Sequence, residues 1–289
     1  MSTIGLESAA PRELRPIKGP SALGGGRRRF LNLIWVVATT DFKLTYFGSV
    51  LGYLWSFMQP LMFFGVLYLV FGVILKNAFG RVPDFPVLLL MNIVLFNFFQ
   101  AATGASVSSV VQRENLVRKM HFPRLVIPLA VVSTAAMQLV LNLAVVVVFM
   151  LIYGIHPLVT WLLLPVIALA FFVLTCGVAM LLSSLYVRYR DIAPIWAVIS
   201  QALFYASPVF ITIEAIEKHG EKVTRFYMCN PLAAILQQAR HWMLGNSPST
   251  PAVMGGYGWA LIPLVIMVAI IALGYWVFKR EAPLIAEEL

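Results

Sequence analysis

The sequence predicts an all-α integral membrane protein with six transmembrane helices. Of its 289 residues, 61% are hydrophobic and 11% are charged, whereas soluble domains carry about a quarter charged residues. Long stretches contain no Asp, Glu, Lys or Arg, and a bilayer crossing needs roughly 20 apolar residues. The stretches are continuous rather than alternating, which favours helices over strands. The predicted spans are residues 50–75, 86–111, 125–153, 159–186, 192–212 and 259–278.

The segments that flank these spans are interpreted from their composition. Residues 1–29 are basic and have no apolar stretch of the kind a signal peptide needs, which predicts a disordered cytosolic tail. Residues 30–44 are apolar with charges at both ends but too short to cross, so we expect an amphipathic helix at the membrane interface. The transmembrane domain then covers residues 45–279, and residues 280–289 form a second cytosolic tail.

The distribution of Lys and Arg predicts the orientation. With both termini in the cytosol, seven precede the first span, four lie in residues 112–124, two lie between spans four and five, and two follow the last span. That places 15 of the 21 inside, in agreement with the bias of short inner loops toward basic residues. We therefore expect a multi-pass protein of a bacterial inner membrane with no nucleic-acid partner, because topology explains most of the +9 charge.

Two functional classes are disfavoured by what the spans lack. Ion-coupled transporters use ionisable groups inside the membrane, but the predicted spans contain none, and His156 lies at a hinge between two of them. Enzymes need clustered acids, histidines or a metal, but the carboxylates are scattered. Glu214, with Lys218 and Lys222 at helical spacing, indicates a solvated, salt-bridged face. No catalytic residue and no metal ligand is predicted, although a membrane enzyme acting on polyprenyl-linked sugars stays an alternative.

A permease driven by a separate motor is the third class. The chain contains no Gly-Lys-Ser or Gly-Lys-Thr and hence no P-loop, so we expect no cofactor here, with ATP and Mg²⁺ bound by a partner subunit. The stretch "QRENLVRKMHF" between spans two and three favours helix, and Pro123 ends it. It is either a docking helix or an ordinary basic loop, and composition alone favours the loop.

Four sequence motifs carry a resemblance to a known family. They are "KLTYFGSVLGYLWSFMQPL", "ENLVRKMHFPRLVIPL", "RYRDI" and "NPLAAILQQAR", in this order along the chain. With them, residues 43–278 resemble the membrane subunit of the ABC-2 polysaccharide and polyol-phosphate exporters of O-antigens, teichoic acids and related glycans. The chain is similar in particular to actinobacterial exporters of lipid-linked galactan. Phe47 and Gly48 depart from the family, whose members often carry a basic residue there.

The resemblance implies a machine of four subunits. Two copies of this chain would pair with two copies of a nucleotide-binding ATPase and extrude a polyprenyl-diphosphate-linked glycan between the protomers. An ABC-2 permease for another lipid or for a drug is the alternative. By the same resemblance, residues 113–122 form a coupling helix and residues 213–258 hold an external gate. The implied ATPase contacts are Glu114, Asn115, Leu116, Arg118, Lys119 and Met120, with a second cytosolic contact at Arg188, Arg190 and Asp191.

Further candidate residues lie on helical faces. Aromatic and amide side chains of two spans could line a glycan channel, although such stripes also mark helix packing. The channel candidates are Tyr53, Phe57, Phe64, Tyr68, Gln201, Phe204 and Tyr205. In the gate region, Asn230 is a good N-cap, Pro231 suits the first helical turn, and Gly245 suits the stop. Gln237 and Arg240 lie on the polar face of this helix. Two explanations fit the basic residues Arg27, Arg28, Arg29 and Lys43. They could contact a lipid diphosphate, or they could reflect only the bias of inner loops toward basic residues.

Overall fold

The structure, a computed structural model, describes residues 26–46, 50–75, 84–114, 123–209, 211–245 and 247–281. Within these ranges every regular element is a helix, and no strand occurs. The predicted all-α class is therefore confirmed. The predicted tail as far as residue 25, and residues 282–289, lie outside the described residues.

The first helix, α1, runs from Arg27 to Tyr46. It contains residues 30–44, which are predicted to form an interfacial helix, and it begins three residues earlier than predicted, since Arg27–Arg29 are expected in the disordered tail. It packs along α5, which spans Val126–Ile152. Ala38 is fully buried at this contact, and its carbonyl accepts a hydrogen bond from Thr134 Oγ1 at 3.2 Å. Trp35 on α1 is exposed. The helix therefore presents an apolar surface beyond the one that packs on the bundle.

In the part of the chain that the structure describes, five helical segments are long and apolar enough to cross a membrane. They give the chain a multi-pass architecture in which each segment has roughly the length that a bilayer requires. The first is α2, Val50–Leu67, which continues as a π-helix over Tyr68–Ile74. The others are α3 (Phe85–Val107), α5, α6 (Leu164–Arg188, preceded by a 3₁₀ turn at Val159–Leu163) and α12 (Tyr257–Glu281).

The fifth predicted span, residues 192–212, is helical over a shorter range. Helix α7 runs from Ile192 to Tyr205, which is 14 residues and about 21 Å at 1.5 Å per residue. A hydrocarbon core is about 30 Å thick. The helix ends in a turn before Pro208, a residue that cannot donate a backbone hydrogen bond. The count of six full-length spans is therefore not confirmed.

Helix α3 is the centre of the bundle. Most of its residues are buried, and it packs against α2, α5, α6 and α7. Phe99 illustrates the packing, because its ring lies 6.0 Å from that of Phe171 on α6 and 6.1 Å from that of Trp196 on α7. A short helix, α4 (Ser109–Gln112), extends α3 toward one end of the bundle.

Short helices cover the opposite end of the bundle, where α3 begins. They are α8 (Ile213–Glu217), α9 (Glu221–Met228), α10 (Pro231–Leu244) and α11 (Thr250–Met254). We call residues 211–245 and 247–254 the cap. Thr160 Oγ1 donates to Trp242 O at 2.6 Å, and Trp161 Nε1 donates to Met243 O at 2.9 Å, so the cap is fastened to the start of the α6 segment. The other end, which carries Arg113, Arg188 and Lys279, is called the basic end.

Candidate functional site

An ion pair between Asp41 and Arg113 joins two segments at the basic end. Asp41 belongs to α1, and Arg113 follows α4, 72 residues later. The Arg113 and Asp41 side chains are 21% and 29% exposed. Because the charges are partly withdrawn from water, their attraction is screened less than that of a surface pair. The position of α1 is thereby linked to the segment that leaves α4.

Arg113 is the first residue of the predicted coupling helix, residues 113–122. Glu114 is helical and half-buried. The remaining predicted ATPase contacts, Asn115, Leu116, Arg118, Lys119 and Met120, lie outside the described residues. The structure therefore places Arg113 and Glu114 at the basic end, and the coupling helix and its ATPase contact stay predictions.

The second predicted cytosolic contact lies between α6 and α7 at the same end. Arg188, Arg190 and Asp191 are all exposed. The guanidinium of Arg188 lies 5.5 Å from the ring centre of Tyr189, and that of Arg190 lies 5.1 Å from the ring centre of Tyr186. Cations at such distances are attracted to aromatic faces. The two arginines are therefore held close to the helix ends and remain accessible to a partner.

The four cations predicted to meet a lipid diphosphate all lie on α1 and are exposed. Arg27, Arg28 and Arg29 begin the helix, and Lys43 lies in its last turn. Sixteen residues separate Arg27 from Lys43, which is about 24 Å along the axis. One diphosphate group cannot bridge that distance, so these residues form two separate candidate contacts.

The aromatic residues predicted on the first span differ in their surroundings. Phe64 stacks on Tyr68, with ring centres 5.7 Å apart, and meets the edge of Phe149 on α5 at 5.4 Å. Phe57 is half-buried, and the side chain of Tyr53 lies outside the described part. In this single chain Phe64 thus packs against α5 and Tyr68 packs against Phe64, and a role in a channel stays a prediction for the whole group.

The three residues predicted on α7 point in different directions. Phe204 is buried in the core, 5.2 Å from the ring of Phe96 and 5.7 Å from that of Phe63. Gln201 and Tyr205 are exposed. Gln201 and Tyr205 are therefore the α7 residues that remain available to a ligand or to a second copy.

The predicted ends of the helix that follows Asn230 are confirmed in α10, and its role in a gate stays a prediction. Asn230 is the N-cap, and its Oδ1 accepts a hydrogen bond from Leu232 N at 3.0 Å. Pro231 occupies the first helical position. Gly245 ends the helix at φ 69°, in the left-handed region that suits glycine. The Asn230 side chain also donates to Ser207 Oγ at 3.3 Å and so ties α10 to the turn after α7.

The polar face of α10 is buried, unlike the expected polar surface of an interfacial helix. Gln237 donates to Pro248 O at 2.8 Å, and Arg240 donates from Nη1 and Nη2 to Glu214 at 2.9 and 2.6 Å. The expected solvated pairing of Glu214 with Lys218 is therefore wrong. A partner 26 residues away satisfies Glu214 instead, because α8 folds back over α10.

The ion pair in the cap changes the acidity of Glu214. Burial alone would raise the pKa of this carboxyl. The hydrogen bonds and the positive charge of Arg240 outweigh burial, with a further hydrogen bond from the backbone of Glu214, so the pKa of Glu214 lies below its ordinary value. Glu214 is therefore charged at neutral pH and keeps the nearly buried Arg240 compensated.

A half-open cavity of about 840 Å³ lies between α1, α2, α3 and α5. It begins at the Asp41–Arg113 pair and extends to Asn142, past the middle of α5. Its walls carry many uncharged polar groups. The polar lining residues other than the ion pair are Thr45, Ser56, Gln59, Asn97, Gln100, Thr134, Gln138 and Asn142.

The Asn and Gln residues of this lining were not among the site residues predicted from the sequence. A signal for them exists, because Gln138 and Asn142 recur at a spacing of four, and Asn97 and Gln100 at a spacing of three, within otherwise apolar spans. Polar side chains in lipid-facing positions are costly, so amides at helical spacing indicate a shared interior face. The sequence does not show that the three helices bring these faces together.

Comparison with known proteins agrees with the all-helical membrane architecture. Residues 32–244 match the family model described as ABC-2 type transporter. The chain is 28% identical over 217 residues to the O-antigen export system permease protein RfbA of Klebsiella pneumoniae, which covers 75% of this chain and 82% of that protein. It is 27% identical to RfbA of Myxococcus xanthus, covering 72% and 78%. It is 24% identical to the polysialic acid transport protein KpsM of Escherichia coli, covering 74% and 78%.

The family match covers residues 32–244, well over half of the chain, and includes most of α1, the bundle as far as α7, and the cap through α10. It therefore contains both the Asp41–Arg113 pair and the Glu214–Arg240 pair. This chain belongs to the ABC-2 type transporter family.

Proposed function

We propose that the chain is the membrane subunit of an exporter that moves a lipid-linked polysaccharide out of the cytosol. The observation that carries this proposal is the similarity, over about three quarters of the chain, to permeases named for O-antigen export and for polysialic acid transport. The polyprenyl-diphosphate linkage and a galactan substrate are the finer parts of the proposal. They rest on the sequence motifs.

The energy source in this proposal is a separate ATPase that binds ATP and Mg²⁺. The sequence lacks a P-loop, so the chain depends on a partner for work. The basic end offers the contact surface, with Arg113, Glu114 and the exposed Arg188 and Arg190 on the same side. The Asp41–Arg113 pair supports transmission, since a push on residue 113 acts directly on α1.

The exporter contains two copies of this chain in the proposal. Helix α2 buries little of its surface within the bundle, and Trp55, Met62 and Val66 on it are exposed. Helix α7 is likewise exposed at Val198 and Tyr205. Both helices are therefore suited to face a second copy across a glycan path. The large apolar area fits either a membrane or a subunit contact.

The proposed topology has six crossings, both termini in the cytosol, and a place in a bacterial inner membrane. Helix α7 would complete the sixth crossing together with the turn that follows it and the start of the cap. Asn92 Nδ2 donates to Pro208 O at 2.7 Å, which places this turn beside α3 at the cap end. The chain therefore passes from the basic end to the cap end between Asp191 and Pro208.

Co-purification with the partner ATPase tests the proposal. The variant Glu114→Arg/Arg118→Glu reverses two charges of the predicted coupling helix, and we expect it to lose the ATPase during purification and to stop polysaccharide export. The matched control Glu217→Arg/Lys218→Glu reverses two exposed charges in the cap and should retain the ATPase. A chain that exports polysaccharide without any ATPase would refute the proposal, and export of a small lipid or drug would favour another ABC-2 substrate.

A further inference from the structure

We propose that the cavity between α1, α2, α3 and α5 binds an uncharged saccharide unit, the sugar next to the lipid of the exported glycan. The inference rests on the proposed function and adds a binding site within one copy of the chain. Four observations carry it: the small side chains on the cavity floor, the amides on its walls, the pairing of its two charges, and its extension from the basic end past the middle of α5.

Ala101 and Ala105, two small residues of α3, form the floor of the cavity, and Gly104 lies beside them on the same helix. Within Phe85–Val107 the exposed residues are Ala101, Gly104 and Ala105. A Cβ added to Gly104 would meet no atom within 4 Å. Protein interiors are otherwise close-packed, and the rest of α3 follows that rule. The open space therefore coincides with a change to small side chains, so the sequence itself keeps the space open.

The walls carry groups that match sugar hydroxyls. Amide side chains both donate and accept hydrogen bonds, as hydroxyl groups do. Gln138 Nε2 contacts Asn142 Oδ1 at 3.4 Å, and Gln138 Oε1 is buried without a hydrogen-bond partner. A buried acceptor of this kind calls for a donor. Phe98 and Leu139 add apolar surface, against which the C–H faces of a sugar ring can pack.

The charges of the cavity select against other occupants. Asp41 and Arg113, both in the lining, neutralise each other, so the remaining polar lining carries no net charge to attract a phosphate or an amine. A lipid acyl chain, or an apolar helix of a second copy, would leave the amides without hydrogen-bond partners. A neutral polyhydroxylated group has no net charge and can hydrogen-bond to the amides. The cavity volume of about 840 Å³ lies in the range of ligand pockets.

The position of the cavity suits a lipid-linked sugar. It adjoins α1 and the Asp41–Arg113 pair at the basic end and reaches past the middle of α5. A sugar seated there keeps its lipid chain alongside the exposed apolar surfaces of α1 and α2. The cavity thus lies between the proposed cytosolic entrance and the bilayer.

Thiol protection in the purified complex of the chain with its ATPase tests this site. In a Cys229→Ser background, Ala105→Cys places a thiol on the cavity floor. Its reaction rate with N-ethylmaleimide is measured in dodecyl maltoside and in octaethylene glycol monododecyl ether, which share the alkyl chain but differ in the headgroup. We expect the sugar headgroup to slow labelling about fivefold, the factor that roughly one net hydrogen bond supplies.

Three comparisons make the result specific. Val140→Cys, on the exposed face of α5, should react at equal rates in both detergents. Gln138→Leu should abolish the protection of Ala105→Cys, whereas Gln112→Leu, an exposed amide that donates to Ser108 Oγ at 2.8 Å, should preserve it. Ala101→Trp fills the space without removing a polar group and should also abolish protection. It tests the site independently in case Gln138→Leu does not fold.

Several outcomes would overturn the proposal. Equal rates for Ala105→Cys in both detergents would mean that the cavity holds only water. Disulfide cross-linking of Ala105→Cys between two copies would assign the face to the second copy, and an unreactive thiol in both detergents would exclude an accessible cavity. Polysaccharide export is measured in the same cells. Normal export without headgroup-selective protection refutes this site alone, whereas absent export in the unaltered chain refutes the proposed function.

Discussion

Arg240 on α10 donates two hydrogen bonds to the carboxylate of Glu214 on α8, from Nη1 at 2.9 Å and from Nη2 at 2.6 Å. The side chain of Arg240 is 5% exposed, and that of Glu214 is 41% exposed. The two partners therefore differ in what their loss leaves behind. Without Glu214 a positive charge is buried unpaired, whereas without Arg240 the remaining carboxylate reaches water.

This asymmetry predicts unequal effects of the two single substitutions. Glu214→Gln should lower the free energy of unfolding by about 3 kcal/mol, because an uncompensated charge stays buried. Arg240→Met, which keeps the apolar stem, should lower it by about 1 kcal/mol. Thermal unfolding of the purified chain measures both. The double variant should be more stable than Glu214→Gln alone, and equal effects of the two single changes would contradict the asymmetry.

The same pair predicts a loss of stability in acid. The pKa of Glu214 in the folded chain lies below its ordinary value, which is about 4.3 in unfolded peptides. The folded state therefore binds this proton less readily than the unfolded state does. The stabilisation by ionised Glu214 is complete above the unfolded pKa and is lost as pH falls through the folded pKa. Melting temperatures between pH 6 and pH 3 measure the effect. The decline should be shallower in Glu214→Gln/Arg240→Met, and an identical decline would assign the acid sensitivity to other groups.

A close crossing of α6 and α12 predicts a position that tolerates only glycine. A Cβ on Gly274 would overlap the carbonyl oxygen of Gly177, and a Cβ on Gly177 would lie 2.9 Å from the Cα of Ile271. Backbone atoms cannot give way as a flexible side chain can, so Gly274→Ala should destabilise the chain by about 2 kcal/mol or more. Gly258→Ala, on the same helix with nothing within 4 Å of its added Cβ, is the control. It should be neutral or slightly stabilising.

Local signals in the sequence were sufficient for α10 and insufficient for its surroundings. Asn230, Pro231 and Gly245 determine the ends of this helix through their own backbone preferences, so its bounds could be predicted. The partner of Glu214 could not be predicted, because Arg240 lies 26 residues away and the contact depends on how α8 folds over α10. Spacing along one helix favoured Lys218 instead.

The length of an apolar run proved a poor guide to the length of one helix. Residues 192–212 contain no charge, yet α7 ends at Tyr205, before Pro208. The cavity between α1, α2, α3 and α5 shows a second limit of sequence-based prediction, which concerns contacts between helices. Gln59, Asn97 and Gln138 lie on three different helices, and their proximity follows from interhelical packing that no single span encodes.

Two positions on either side of α7 provide a test of whether the chain crosses the membrane there. Tyr189 is exposed at the basic end before α7, and His219 is exposed in the cap after it. In a Cys229→Ser background, a membrane-impermeant maleimide should label His219→Cys in right-side-out vesicles. It should label Tyr189→Cys in inside-out vesicles only, because the proposed topology places the basic end in the cytosol. The native Cys176 is buried and should react only after denaturation, which serves as an internal control. Labelling of both engineered cysteines from one side would mean that the chain does not cross the membrane between them. The reverse pattern would place the basic end outside, against the bias of inner loops toward Lys and Arg.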